Sequence, residues 1–171
     1  VNDPPFVFRP LANDEFTLDE DSGPAYPGVL SQMFRDPEGD EIEYGFEAPD
    51  VLNPFLSNNT TFEIDPDPDY NNHPDGDVVL FTAIDEHGDS TGYEFTVHII
   101  PLNDAPRIAI ELDDYVIDED PGHYELFDYD EVFFDVDDPA LDFRVSGTPG
   151  RLGMGIDEDN ILFIEPALNY N

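Results

Sequence analysis

The sequence predicts an all-β protein, and three observations carry that prediction. Short runs rich in Phe, Tyr, Val, Ile and Thr alternate with clusters of turn-forming residues. Seventeen prolines and 12 glycines punctuate the 171 residues, and no long window shows helical periodicity. Strands recurring at roughly ten-residue spacing then point to a β-sandwich.

The candidate strands follow in order. "EFTLDE" (Glu15 to Glu20), "EIEYGFE" (Glu41 to Glu47) and "TTFEID" (Thr60 to Asp65) are the first three. "DVVLFTAID" (Asp77 to Asp85) and "GYEFTVHII" (Gly92 to Ile100) follow. Tyr93, Phe95, Val97 and Ile99 fall at alternate positions, as on a half-buried strand. Between them "DSGPAYPG", "RDPEGD", "DPDPDYNNHPDGD" and "DEHGDSTG" read as turns.

Internal repetition sets the expected domain organisation. "NDPP" at Asn2 to Pro5 returns as "NDAP" at Asn103 to Pro106. In the same order "LDEDSG" (Leu18 to Gly23) meets "IDEDPG" (Ile117 to Gly122), and "FRDPEGDEIEY" (Phe34 to Tyr44) meets "DVDDPALDFRV" (Asp135 to Val145). "FEIDPDPDYN" (Phe62 to Asn71) meets "FIEPALNYN" (Phe163 to Asn171). The expectation is two sandwich domains, residues 1–102 and 103–171, the second lacking its last two strands. Such a domain exposes sheet edges, so either the chain is cut from something longer or another molecule supplies the strands.

Charge bounds the partners. Forty-two Asp and Glu face 5 cations, all arginine, for a formal net charge of −37. That field repels nucleic acid and anionic membranes. It also repels itself, unless the acids are screened as in a salt-adapted surface or hold hard cations such as Ca²⁺. With no cysteine, disulfides and thiolate metal sites are excluded, which leaves bound metal as the obvious staple. No apolar run approaches a membrane span of about 20 residues.

The repeated linkers, "DEDSG"/"DEDPG", "DPEGD", "DYN" and "FTAIDEHG" together resemble cadherin-like repeats, in particular the dystroglycan-type domains of large bacterial surface proteins. The resemblance implies tandem Greek-key β-sandwiches, an extracellular or cell-surface location, and Ca²⁺ where domains meet. Asn-Asp-x-Pro linkers suit that role, since proline fixes φ and biases its predecessor toward extended geometry. Carried over residue by residue, one junction takes Glu20, Asp67, Asp69, Asn103, Asp104, Asp137 and Asp138, with Asn71 standing where the pattern would carry Glu. A second takes Asn2, Asp3, Asp36, Glu38, Asp40 and Asp85 toward a preceding domain, and Glu119 serves a third. "DPEGD" and "DEHG" read equally as ordinary turns.

Other motifs carry less. Asp65-Pro-Asp67-Pro-Asp69 opens like an EF-hand, but Tyr70 and Gly76 replace the turn glycine and the bidentate Glu. Asn58 and Asn59 are overlapping glycosylation acceptors in what reads as a polar loop. The four histidines (His73, His87, His98, His123) are scattered, and no arrangement of Ser and His suggests catalysis. The expected function is a Ca²⁺-rigidified spacer or adhesive stalk, non-enzymatic, whose partners are neighbouring repeats, and a surface polysaccharide or a homophilic partner. The alternatives are a carbohydrate-binding module with Tyr26, Phe55 and Tyr124 as a platform, and a filament subunit completed by a neighbour's strands.

Overall fold

Alternation of apolar and polar side chains builds the two longest strands. In the computed structural model, which describes residues 1–117, 122–146 and 152–167, these are β8 (Asp77–Asp85) and β9 (Ser90–Ile100). Val79, Phe81 and Ala83 of β8 and Phe95, Val97 and Ile99 of β9 point to one buried face. The chain divides into two compact units, Val1–Leu102 and Asn103–Asn171.

The first unit is a two-sheet sandwich. Besides β8 and β9 it contains β1 (Phe6–Val7), β2 (Glu15–Asp19), β3 (Ala25–Val29), β4 (Phe34–Arg35), β5 (Ile42–Glu47), β6 (Phe55–Ser57) and β7 (Thr61–Ile64). One sheet has the order β2-β9-β8-β5, the other β3-β7-β6, and β1 pairs with β4. The β2–β9 pairing is parallel and the rest are antiparallel. Between the sheets, Phe62 meets Phe81 edge-to-face at 4.8 Å and Phe46 at 5.1 Å, a geometry that aromatic quadrupoles favour. A four-residue helical turn, α1 (Leu30–Met33), plugs one side with buried Leu30 and Met33. Asn58 and Asn59, both at positive φ, turn the β6–β7 hairpin.

Tyr93 latches the amino-terminal segment to β9. Its hydroxyl donates to Asp14 Oδ1 at 2.8 Å and accepts from the Leu11 amide at 2.9 Å. Burial first, then the Asp14 hydrogen bond and charge, push this phenol up to about 12, against the lowering effect of the Leu11 N–H.

The second unit contains β10 (Arg107–Ile108), β11 (Tyr124–Asp128), α2 (Tyr129–Val132), β12 (Phe133–Phe134), β13 (Leu152–Ile156) and β14 (Ile161–Pro166). Its sheet order β11-β14-β13 has the pattern of β3-β7-β6, and the β10–β12 pair has that of β1–β4. Leu162 and Ile164 are buried on one face, and Tyr129, Phe133 and Phe143 form a cluster of three rings in mutual contact. More is different here than two final strands. The stretches 114–117 and 141–146, which match β2 and β5 in sequence position, form no strand. In the first unit β2 pairs only with β9, and β5 only with β8; among the described residues no counterpart of β8 or β9 exists to pair with. Strand-like sequence without a ladder partner does not make a strand.

Candidate metal-binding poles

Three loops meet at the pole of the first unit that carries its amino terminus. The β4–β5 loop brings Asp36, Glu38 and Asp40; the β8–β9 turn brings Asp85, Glu86, His87 and Asp89; the leading segment brings Asn2 and Asp3. Asp36 organises the first loop. Its Oδ1 accepts from the amides of Glu38 and Gly39 at 2.8 Å and Asp40 at 3.0 Å. Gly39 at φ 88° permits the chain to curl around that oxygen. Asp85 does the same in the turn: Oδ1 accepts from His87 N at 2.8 Å and Asp89 N at 2.9 Å, with Gly88 at φ 90°.

The leading segment is tied to both loops. Asn2 Nδ2 donates to Asp85 Oδ2 and Asp89 Oδ2, each at 2.8 Å, and the Asp3 amide donates to Glu38 Oε2 at 3.2 Å. Asp85 is only 5% exposed. Burial raises its pKa, but donations from Asn2, Asp89, His87 and Gly88 prevail and hold it below the ordinary carboxylate range.

One oxygen in this web has nothing to accept from. Asp36 Oδ2 is buried and has no hydrogen-bond partner among the described residues. A buried carboxylate oxygen without a donor is costly unless a cation serves it. Asp36, Glu38, Asp85, Asn2 and Asp3 are an oxygen-rich set at the convergence of three segments, which suits a hard cation wanting six to eight oxygens. Asp40, Glu86 and His87 also offer ligand atoms within 4.8 Å of one another, and His87 Nδ1 stands 3.3 Å from Asp40 Oδ2. That trio includes a nitrogen, which Ca²⁺ disfavours and transition metals accept.

At the other pole of the same unit, Glu20 is 3% exposed. Its Oε1 accepts from the Leu102 amide at 2.5 Å and its Oε2 from Asn71 Nδ2 at 3.2 Å, so this acid clamps the end of β9 to the segment after β2. Asp21 Oδ1 accepts from the Asp69 amide at 3.0 Å. Asp67 is engaged differently, its Oδ1 taking Asn53 Nδ2 at 2.8 Å.

The second unit repeats the amino-terminal pattern. Asp135 Oδ1 accepts from the amides of Asp137 and Asp138, each at 2.9 Å, as Asp36 does from Glu38 and Gly39. The Asp104 amide donates to Asp137 Oδ2 at 2.7 Å, as Asp3 does to Glu38. Asn103 Nδ2 donates to the Asp104 carbonyl at 2.6 Å, and Arg107 Nη2 pairs with Asp104 Oδ1 at 3.0 Å. The structural partner of Asp36 is therefore Asp135. The sequence match of "FRDPEGD" to "DVDDPAL" set Asp36 against Asp137 and is two residues out of step. The pairs Phe6↔Arg35 and Arg107↔Phe134 fix the true register.

The structure thus gathers Asn2, Asp3, Asp36, Glu38, Asp40 and Asp85 at one pole, places Glu20, Asp69 and Asn71 at the other, and joins Asn103, Asp104, Asp137 and Asp138 in the second unit. Glu119 lies outside the described residues. Sequence reading passed over Asp21, Glu86, His87, Asp89 and Asp135. All five stand within motifs already quoted, but His87 approaches Asp40 only because two loops distant in sequence converge.

No family model and no curated relative matches the sequence. Among solved structures, an endo-fucoidan hydrolase of glycoside hydrolase family 107 aligns with 96% of the chain at 15% identity and TM-score 0.45. The human desmocollin-1 ectodomain aligns with 100% at 15% identity and TM-score 0.44. Mouse protocadherin-24 EC1-3 aligns with 96% at 16% identity and TM-score 0.42. The chain spans 24%, 32% and 57% of those structures' lengths, respectively.

Proposed function

We propose that this chain is a segment of an extracellular, cation-rigidified array of cadherin-like repeats, acting as a spacer or adhesive stalk. The observation that carries this reading is Asp36 Oδ2, buried and unserved at a pole where three loops deliver oxygen ligands. Ca²⁺ is the cation that this donor set suits. With an ion in place, the repulsion among Asp3, Asp36, Glu38 and Asp85 becomes attraction to a shared charge, and the leading segment is fixed to the sandwich. An ion sharing its ligands with a neighbouring repeat would stiffen the array; without it, like charges push the pieces apart. The role is mechanical, not catalytic.

Thermal melting and small-angle scattering in millimolar Ca²⁺ and in chelator test the reading. Ca²⁺ should raise the melting temperature and reduce flexibility, and Asp36→Asn should lose most of that response. Identical melting and scattering in both conditions would overturn it.

A second reading, carbohydrate binding, draws on the outer face of the β3-β7-β6 sheet. Tyr26 and Phe55, each 60% exposed, stand on the strands flanking Glu63 of β7, and Phe55 pairs directly with Glu63. Apolar rings beside an acid that hydrogen-bonds the Ser57 hydroxyl could take a sugar face and its hydroxyls. Retention on a polysaccharide column, lost in Tyr26→Ala/Phe55→Ala, would favour it.

A further inference from the structure

The first 102 residues contain two cations, Arg9 and Arg35. In a chain with 42 acids each would be expected to sit against a carboxylate. Neither does: among the described residues no ion pair involves Arg9 or Arg35. Both guanidinium carbons instead lie over the ring of exposed Phe8, each 5.3 Å from its centroid. Phe6 meets Phe8 edge-on at 6.5 Å and lies opposite Arg35 in the β1–β4 pair. Arg35 uses one Nη1 donor on the Ser31 carbonyl. Among the described residues neither guanidinium makes another hydrogen bond, which leaves most of their donors to a partner. In the second unit the cross-strand Arg–Phe pair recurs with the strands exchanged, but there Arg107 is joined to Asp104.

The chemistry of the patch narrows its occupant. With guanidiniums over Phe8, little of that ring is free for a sugar to stack on. What the patch presents is two forks of donors around one ring, and their match is a pair of carboxylates. Acids at alternate positions of an extended strand project on one face about 7 Å apart. This unit displays such a pair. Glu41, just before β5, and Glu43, within it, are both exposed, and β5 is an edge strand of the four-stranded sheet. A two-fold pair of copies, each setting its arginines against the other's glutamates, would satisfy both patches at once.

We propose that Arg9 and Arg35 form a docking patch for a second copy of this chain, taking the Glu41–Glu43 edge of the partner. Whole-molecule repulsion opposes the contact at low salt and is screened beyond about 8 Å at 0.15 M. The contact itself weakens in molar salt. Association is thus greatest at intermediate ionic strength. It does not depend on the cation reading, so the assay is run in chelator.

Sedimentation equilibrium of the full chain across concentration and salt tests this. Wild type should self-associate, and Arg9→Glu/Arg35→Glu and Glu41→Arg/Glu43→Arg should each weaken association about tenfold or more. Mixing the two variants should restore it, because each then offers the charge the other has lost. Unchanged melting temperatures would show that the variants fold. A monomeric wild type at every concentration, association insensitive to the substitutions, or no rescue on mixing would overturn the proposal. So would binding of an oligogalacturonate through Arg9 and Arg35 by a chain that stays monomeric.

Discussion

The two units hold similar three-stranded sheets and similar two-stranded pairs, yet among the described residues only the first has a four-stranded sheet beside them. In the first, β8 and β9 lie centrally between β2 and β5 and supply Val79, Phe81, Phe95 and Val97 to the core. In the second, the positions matching β2 and β5 are irregular, and apolar side chains stay in water; Val116 is 96% exposed and Ile108 is 64% exposed. The difference teaches that β2 and β5 are strands because of their neighbours. Both are edge strands of that sheet and carry acids, Glu15 and Asp19 on one and Glu43 and Glu47 on the other, and without a central hairpin nothing holds them.

The largest expected effect breaks the comparison at its centre. Phe81→Ala removes a fully buried ring from the aromatic stack and should cost the first unit about 3–5 kcal/mol. Hydrogen exchange should then accelerate across β8 and β9, and with them β2 and β5, while β11, β13 and β14 keep their wild-type rates. In the wild-type chain the same experiment should find the slowest amides in β8 and β9.

Next comes the latch. Tyr93→Phe removes the hydroxyl that holds Asp14 and Leu11, and should cost about 1–2 kcal/mol by urea denaturation. The phenol also predicts a pH effect. It stays protonated to about 12 in the fold, against about 10 in the unfolded chain. Between those values the folded state holds the extra proton, so the contribution is full below about pH 10 and lost as pH rises toward 12. Tyr93→Phe should flatten that alkaline loss.

A smaller effect sharpens the likeness between the two aspartate-centred loops. Gly39→Ala forces a side chain into φ 88° and should cost about 1 kcal/mol. The Asp135 loop keeps its hydrogen bonds with Asp138 and Pro139 where the first has Gly39 and Asp40 in its curl; Asp138 is not at positive φ, so Asp138→Ala should change melting little.

Much of the first unit was legible in the sequence, because β8 and β9 alternate apolar and polar residues over long stretches; β3 was not, since "DSGPAYPG" reads as a turn by its Pro and Gly while Ala25–Val29 pairs with β7 as a strand. The acids at its amino-terminal pole were also legible as residues, since "DPEGD" and "AIDEHG" each centre on an aspartate that caps its own loop. The register of the second unit was not. Asp135, Asp137 and Asp138 look alike as letters, so the match slid by two, and only the short β10–β12 ladder with Phe133 and Phe134 distinguishes them. His87 near Asp40 was hidden for another reason: proximity between two loops is a property of the folded sheet and leaves no spacing signal. Nor did propensity reveal that 114–117 and 141–146 would stay irregular, because the deciding fact is an absent partner.

The central claim is that the acids around Asp36 bind a divalent cation. Calorimetric titration of the full chain with Ca²⁺, beside Asp36→Asn and Asp85→Asn, tests it most directly. The account predicts saturable binding by wild type and the loss of one class of sites in both variants, with folds intact by circular dichroism. Equal binding by all three proteins, or none by wild type, would contradict it.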